Sequence, residues 1–186
     1  MIGFALCGSF CTVARALSQL EILTKQYDMQ GIVSEAVFST DTRFSPADAV
    51  CERIEALTGR PLIHSIVDAE PLGPKTPLDA LVICPCTGNT LAKMSCGITD
   101  TAVTMAAKAH LRSNRPLVIA LASNDALSAN LKNIGELLTR KQVFFVPMKQ
   151  DDPQGKPHSL VADFTLLPAT LACALQGRQY QPLFLS

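Results

Sequence analysis

The chain has 186 residues, 48% of them apolar and 17% charged, with 16 Lys plus Arg balanced by 16 Asp plus Glu. One domain spanning 1–186 is expected: the chain is too apolar to be disordered, and it lacks the basic footprint of a general nucleic-acid binder. No stretch suits a bilayer span, the N-terminus has no basic segment of a signal peptide, and seven scattered cysteines do not make a disulfide scaffold, so a cytoplasmic protein with reduced thiols is expected.

Apolar runs alternate with helical spacings along the chain. Residues 2–7 read as a strand and 13–27 as a helix through Leu17, Leu20 and Leu23. A second strand is predicted over 31–38, then a helix over 46–58 with Pro46 at its start and Gly59 past its end. Residues 78–84 (LDALVIC) form the best buried strand, followed by helices over 89–96 and 101–111. The remainder reads as strand 116–122, helix 126–140, strand 143–146 and a C-terminal helix over 160–176. The proline-rich piece 71–77 reads as a rigid surface loop. Wholly apolar strands alternating with helices predict a doubly wound α/β sandwich, a mostly parallel sheet with helices on both faces, Rossmann- or flavodoxin-like.

Ligands of such sheets bind beyond the carboxyl ends of the strands. Four polar loops follow predicted strands: 8–12, 39–43, 85–90 and 123–126. In the first, Gly8 permits a tight turn and Ser9 and Thr12 set hydroxyls beside a helix start, which favours a phosphate; the structural alternative is a helix cap by Ser9. Neither G-x-G-x-x-G nor G-x-x-x-x-G-K-[ST] is present, which favours a mononucleotide over NAD or ATP. The 85–90 loop offers Thr87 and Asn89 to a heterocycle edge or a helix cap, with Cys86 as a nucleophile if its pKa is lowered. Asn124 suits a carboxylate or a ring edge, whereas Asp125 reads as a helix cap. Arg43 is the first candidate to clamp a substrate carboxylate, with Asn124 second. The stretch 150–159 carries Asp151, Asp152, Lys156 and His158, either a metal or acid–base site or, more simply, a hydrated loop before a helix capped by Ser159. His64 and His110 read as structural or surface residues. With no C-x-x-C pair and three histidines, no metal site is expected. Near-zero net charge makes a homo-oligomer plausible.

The segment Cys84-Pro-Cys-Thr-Gly-Asn-Thr-Leu-Ala-Lys-Met-Ser-Cys-Gly-Ile-Thr-Asp100 resembles the P-A-[ST]-A-N-T-[IL]-A-K-x-A-x-G-x-[AS]-D signature of the homo-oligomeric flavin-containing cysteine decarboxylase family, whose relatives include the flavin prenyltransferases. Leu6-Cys-Gly-Ser9 is similar to that family's FMN-phosphate loop, and Ala122-Ser-Asn124 stands where the decarboxylases have P-x-M-N. Ser39-Thr-Asp-Thr-Arg-Phe44, Ala69-Glu-Pro-Leu-Gly-Pro-Lys75, Asn124-Asp-Ala-Leu127, Gln150-Asp-Asp-Pro153 and Lys156-Pro-His-Ser159 resemble the branch that works with an NAD(P)-linked A subunit in the final oxidation to pyridine-2,6-dicarboxylate (dipicolinate) during sporulation. The resemblance implies FMN held between neighbouring subunits of a trimer or larger assembly. It implies phosphate on Gly8 and Ser9, ring or ribityl contacts near Ser39, Thr87 and Asn89, and a contact from Ser123. Two departures weigh against cysteine decarboxylation: His64-Ser-Ile-Val matches the decarboxylase H-[IL]-x-L context loosely, and Met is missing from Ala122-Ser-Asn124. The alternatives are a decarboxylase of a cysteine-containing substrate and a non-catalytic partner of the A subunit.

Overall fold

In a computed structural model, which describes residues 1–73 and 75–186, the four strands of five or more residues are buried over their whole length: β1 (Ile2–Leu6), β2 (Met29–Val33), β3 (Ala80–Cys86) and β4 (Leu117–Ser123). Burial on both faces explains why their sequences are apolar throughout rather than alternating. With β5 (Val143–Phe145) they form a parallel sheet in the order β2-β1-β3-β4-β5. Beyond Ile119 the chain neighbouring β4 changes. There β7 (Leu160–Ala162) pairs antiparallel with Ala122 and Ser123, and β6 (Met148–Lys149) pairs antiparallel with β7.

Among the described residues eight helices surround the sheet: α1 (Val13–Leu23), α2 (Glu35–Ser39), α3 (Ala47–Thr58), α4 (Ile66–Ala69), α5 (Gly88–Ser95), α6 (Ala102–Leu111), α7 (Leu131–Leu138) and α8 (Leu167–Ala174). The β1–α1–β2 and β3–α6–β4 crossovers step in opposite directions along the sheet. Right-handed connections therefore place α1 and α6 on opposite faces. Accordingly α1 touches α3 and α8, while α6 touches α4 and α5. Val13, Ala16, Leu20 and Leu23 give α1 its buried stripe, and α6 is opened by a reciprocal cap between Thr101 and Thr104. Phe4, Leu6, Ile32, Leu81, Ile83 and Phe145 have no measurable exposure, and burying each such side chain contributes about 1.5–3 kcal/mol. The free edge of β5 is closed by one side chain. Gln179 accepts from the Phe145 N–H at 2.8 Å and donates to its carbonyl at 2.7 Å, standing in for a strand.

Several boundaries differ from the sequence reading. The strand predicted over 31–38 ends at Val33. Ser34 N–H still donates to Leu6 O in the sheet, but Val37 and Phe38 N–H turn back to Ser34 O and begin α2. A short apolar run carries no periodicity that separates strand from helix. The helix predicted over 126–140 is confined to α7, because residues 125–130 fold into turns on the Asp125 carbonyl. The helix predicted over 160–176 begins only after Asp163: Leu160–Ala162 is drawn into the sheet by the open edge at the end of β4. Ser159 therefore precedes a strand and caps nothing, and Asp163 is the cap instead, accepting from Thr165 N–H. Of the loop 71–77, Pro74 lies outside the described residues, and Gly73 beside it has φ of 137°, a value that favours glycine. Among the described residues no helix is long and apolar enough to cross a membrane.

Candidate functional site

At the carboxyl end of the sheet, the loops after β1, β3 and β4 and the β6–β7 hairpin enclose a cleft of about 970 Å³. Gly8 and Ser9 form its first corner. The chain leaves β1 through a 3₁₀ turn, Phe10–Thr12, that runs directly into α1. Thr12 Oγ1 donates to Ser9 O at 2.8 Å and closes the turn. The Ser9 side chain makes no cap bond, so the cap alternative does not hold. Gly8 abuts the start of α2: a β-carbon there would lie 3.3 Å from Ala36 Cβ. A hydroxyl beside the first free N–H groups of a helical segment is a suitable seat for a phosphate.

The second corner is the start of α5. Thr87 Oγ1 accepts from Thr90 N–H at 3.3 Å, so this side chain is spent on the cap. Asn89, in the first turn, is exposed to the cleft. Below it Thr90 Oγ1 donates to Cys7 Sγ at 3.2 Å. Burial pushes the Cys7 thiol up to about 11 and raises Cys84 and Cys86 well above the ordinary thiol range. Burial thus moves the Cys86 thiol in the direction opposite to the lowering that a nucleophilic role requires.

The third corner is a polar relay at the end of β4. Ser123 Oγ donates to Asp125 Oδ1. Asn130 Nδ2 donates to both carboxylate oxygens, at 2.9 and 2.8 Å, and Asn130 Oδ1 accepts from Asn133 at 2.9 Å. The Ser123 hydroxyl, followed by Asn130, holds the Asp125 carboxyl below the usual carboxylate range. Asp125 is thus the anchor of this relay rather than the helix cap expected from the sequence. Gly88 is required by the same packing: a β-carbon there would lie 2.3 Å from Ser123 Oγ and 2.8 Å from Asp125 Oδ1. Asn124, between the two relay residues, is exposed and lines the cleft.

The fourth wall is the hairpin. It contributes Lys149, Asp151 and Lys156, and Arg15 projects from α1 on the side of the helix that carries Cys11 and Thr12. Lys156 Nζ meets Asp151 Oδ2 at 3.1 Å. The Ser159 hydroxyl and then Lys156 lower the Asp151 pKa. Among the described residues no cluster of His, Cys, Asp and Glu is placed to hold a metal ion.

The structure therefore brings Gly8, Ser9, Thr87, Asn89, Ser123 and Asn124 to one cleft. Ser39 and Arg43 do not reach it. Ser39 sits at the end of α2, exposed, its hydroxyl donating back to Glu35 O at 2.9 Å. Arg43 is exposed, with its guanidinium 4.9 Å from the centre of the Phe44 ring. The residue directly after β2 is Ser34, whose hydroxyl is buried and, among the described residues, without a hydrogen-bond partner. Shortening the strand by five residues places Ser34, rather than Ser39, beside its carboxyl end. His64 stacks on Phe38 at 3.9 Å, and His110 Nε2 lies 2.9 Å from Pro116 O at the far end of the sheet; neither lines the cleft. Arg15 and Lys149 went unread in the sequence, although Cys11 and Arg15 stand four residues apart on one helical face.

The family described as Flavoprotein matches residues 1–164. The chain belongs to the flavoprotein family. The B subunit of dipicolinate synthase from Bacillus subtilis (strain 168) is 47% identical to it over 183 residues, covering 98% of this chain and 92% of that protein. The crystal structure of the dipicolinate synthase B subunit from Bacillus halodurans C superposes with a TM-score of 0.91 at 44% identity, covering 100% of this chain and 95% of that one. At 23% identity, the FMN-dependent cysteine decarboxylase SpaF shares the fold, with a TM-score of 0.69 over 95% of each chain. The features of this flavoprotein's cleft suit a phosphorylated ring: an uncapped Ser9 hydroxyl beside free backbone donors, and a space walled by three strand-end loops and the hairpin.

Proposed function

We propose that this flavoprotein is the B-type component of a dipicolinate synthase. It would bind FMN at the carboxyl end of its sheet and act with an NAD(P)-linked A subunit in oxidising a dihydro- or tetrahydrodipicolinate to pyridine-2,6-dicarboxylate during sporulation. The observation that carries the reading is the cleft itself, in which free hydroxyls and amides converge on a chain 47% identical to a dipicolinate synthase B subunit. FMN, when bound, supplies a two-electron acceptor for the ring hydrogens.

The chain's own residues hold and orient. Gly8 and the Ser9 hydroxyl take the phosphate. Ser34, Asn89 and Ser123 face the ribityl chain and ring. Ser123 gives its proton to Asp125, so toward the cleft it offers oxygen lone pairs and accepts from a ligand N–H. Asn124 is unengaged and donates its amide N–H to a substrate carboxylate. Ser39 and Arg43 lie with exposed Phe38 and Phe44, and Ile66 and Val67 are exposed on α4. We assign this apolar surface to a homo-oligomer contact, a trimer or a multiple of it, in which Ser39 and Arg43 reach a neighbouring protomer's cleft.

The test is reconstitution with the A subunit and FMN, following pyridine-2,6-dicarboxylate formation. Asn124→Ala is expected to lower the rate at least tenfold while FMN affinity and thermal midpoint stay unchanged. Full activity of Asn124→Ala and Ser9→Ala pairs would instead mean that the chain only supports its partner. Carbon dioxide release from an acyl-cysteine would establish the decarboxylase alternative.

A further inference from the structure

We infer that the hairpin side of the cleft is a carboxylate subsite, in which Arg15, Lys149 and Lys156 hold the two carboxylates of a pyridine- or dihydropyridine-2,6-dicarboxylate, leaving the Gly8–Ser9 corner to the cofactor phosphate. This deepens the reading just given and rests on it. All three cations line the same cleft. Among the described residues neither Arg15 nor Lys149 meets a carboxylate within 4.0 Å, so both enter with unused donors. The acids of the cleft are already engaged: Asp125 by Ser123 and Asn130, Asp151 by Lys156, and Asp163 by the N–H and hydroxyl of Thr165.

The arrangement is also directed. The Arg15 guanidinium stands 5.1 Å from the centre of the Phe164 ring, which lies two residues beyond β7. Lys156 is held by a braced loop. Gln150 Nε2 donates to Pro157 O at 2.8 Å, Leu127 N–H to His158 O at 2.9 Å, and Gly155 N–H to Asp152 Oδ1 at 2.9 Å. A dianion loses much hydration on entering a cleft. Several cations with N–H groups to spare, one of them a planar guanidinium, offset that loss in a way that a single exposed Arg43 outside the cleft does not.

The experiment measures pyridine-2,6-dicarboxylate binding by calorimetry, on FMN-loaded and on FMN-free protein, for the native chain and for Arg15→Gln, Lys149→Gln and Lys156→Gln. FMN affinity and thermal midpoint are recorded for each. Each substitution is expected to weaken dicarboxylate binding about tenfold, the scale of one charge-assisted hydrogen bond, with FMN affinity and midpoint unmoved. Pyridine-2-carboxylate, with one carboxylate, is expected to bind more weakly and to respond less to each substitution. Dicarboxylate affinity unchanged in all three variants, or no binding to the native chain in either form, overturns the inference. A fall in FMN affinity with dicarboxylate binding intact also overturns it, by returning the cations to the cofactor phosphate. Failure of FMN to bind, with dicarboxylate binding still lost in the variants, supports the subsite and removes the flavin reading alone.

Discussion

The two ends of the central sheet are built from the same apolar strands but treat their polar groups in opposite ways. At the amino end most donors meet acceptors: the Met1 ammonium donates to Asp79 at 2.6 Å, Arg115 to Leu78 O at 2.7 Å, and His110 Nε2 lies against Pro116 O, although His110 Nδ1 is buried without a partner among the described residues. At the carboxyl end, among the described residues, Ser9 caps nothing, Ser34 is buried unpartnered, Asn124 is exposed, and Arg15 and Lys149 lack counter-ions. A closed network stabilises the chain by itself, whereas an open one waits for a ligand to complete it. The difference separates the scaffold from the site without reference to any relative.

Substitutions at the two ends should therefore part in sign as well as size. The largest effect is expected at Gly88, where an added β-carbon would press into the Ser123–Asp125–Asn130 relay. Gly88→Ala should cost about 1–3 kcal/mol by overpacking and abolish FMN binding, measured by urea unfolding and flavin titration; native stability would contradict the tight contact. Ser34→Ala should divide stability from function. Removing a buried unpaired hydroxyl should stabilise the ligand-free chain by about 1 kcal/mol while weakening FMN about tenfold. A loss in both would show that Ser34 is paired internally.

Gly135 serves as a control, since it is exposed in α7 with nothing within 4 Å of an added β-carbon. Gly135→Ala should raise stability by about 0.5–1 kcal/mol through helix propensity alone, with FMN affinity unchanged. The amino end offers a pH-dependent contrast. Burial lowers the His110 pKa below its unfolded value, with the Pro116 carbonyl acting in opposition. Its contribution to stability is then complete above about pH 6.5 and declines as pH falls through and below that value. His110→Gln should flatten the urea midpoint between pH 7 and pH 5; an unaltered slope would assign that dependence to other groups. The smallest effect is expected for Asp79→Asn, an exposed pair worth less than about 1 kcal/mol near pH 7. The Met1 ammonium lowers the Asp79 pKa, so this increment disappears as the carboxyl protonates below its ordinary range.

What the sequence reveals of this molecule follows from how local each feature is. The buried strands, the α3 stop at Gly59 and the converging loops of Gly8, Thr87 and Ser123 are legible because turn chemistry and apolar runs are local signals and the sheet's topology does the rest. Ser34 was hidden because α2 starts directly where β2 ends, with no polar break to mark the change. Leu160–Ala162 read as helix because its apolar residues continue into α8, and only the exposed end of β4 makes it a strand. Lys149 and Lys156 enter the cleft through that same antiparallel hairpin, a long-range pairing with no sequence period.

The most direct test compares FMN with riboflavin, which share a ring and differ in the phosphate, by fluorescence titration of the purified chain. A cleft anchored at Gly8 and Ser9 requires FMN to bind at least about tenfold more tightly, with the difference erased in Ser9→Ala. Equal affinity for the two flavins, or binding of neither, would contradict a phosphate-anchored flavin at the carboxyl end of this sheet.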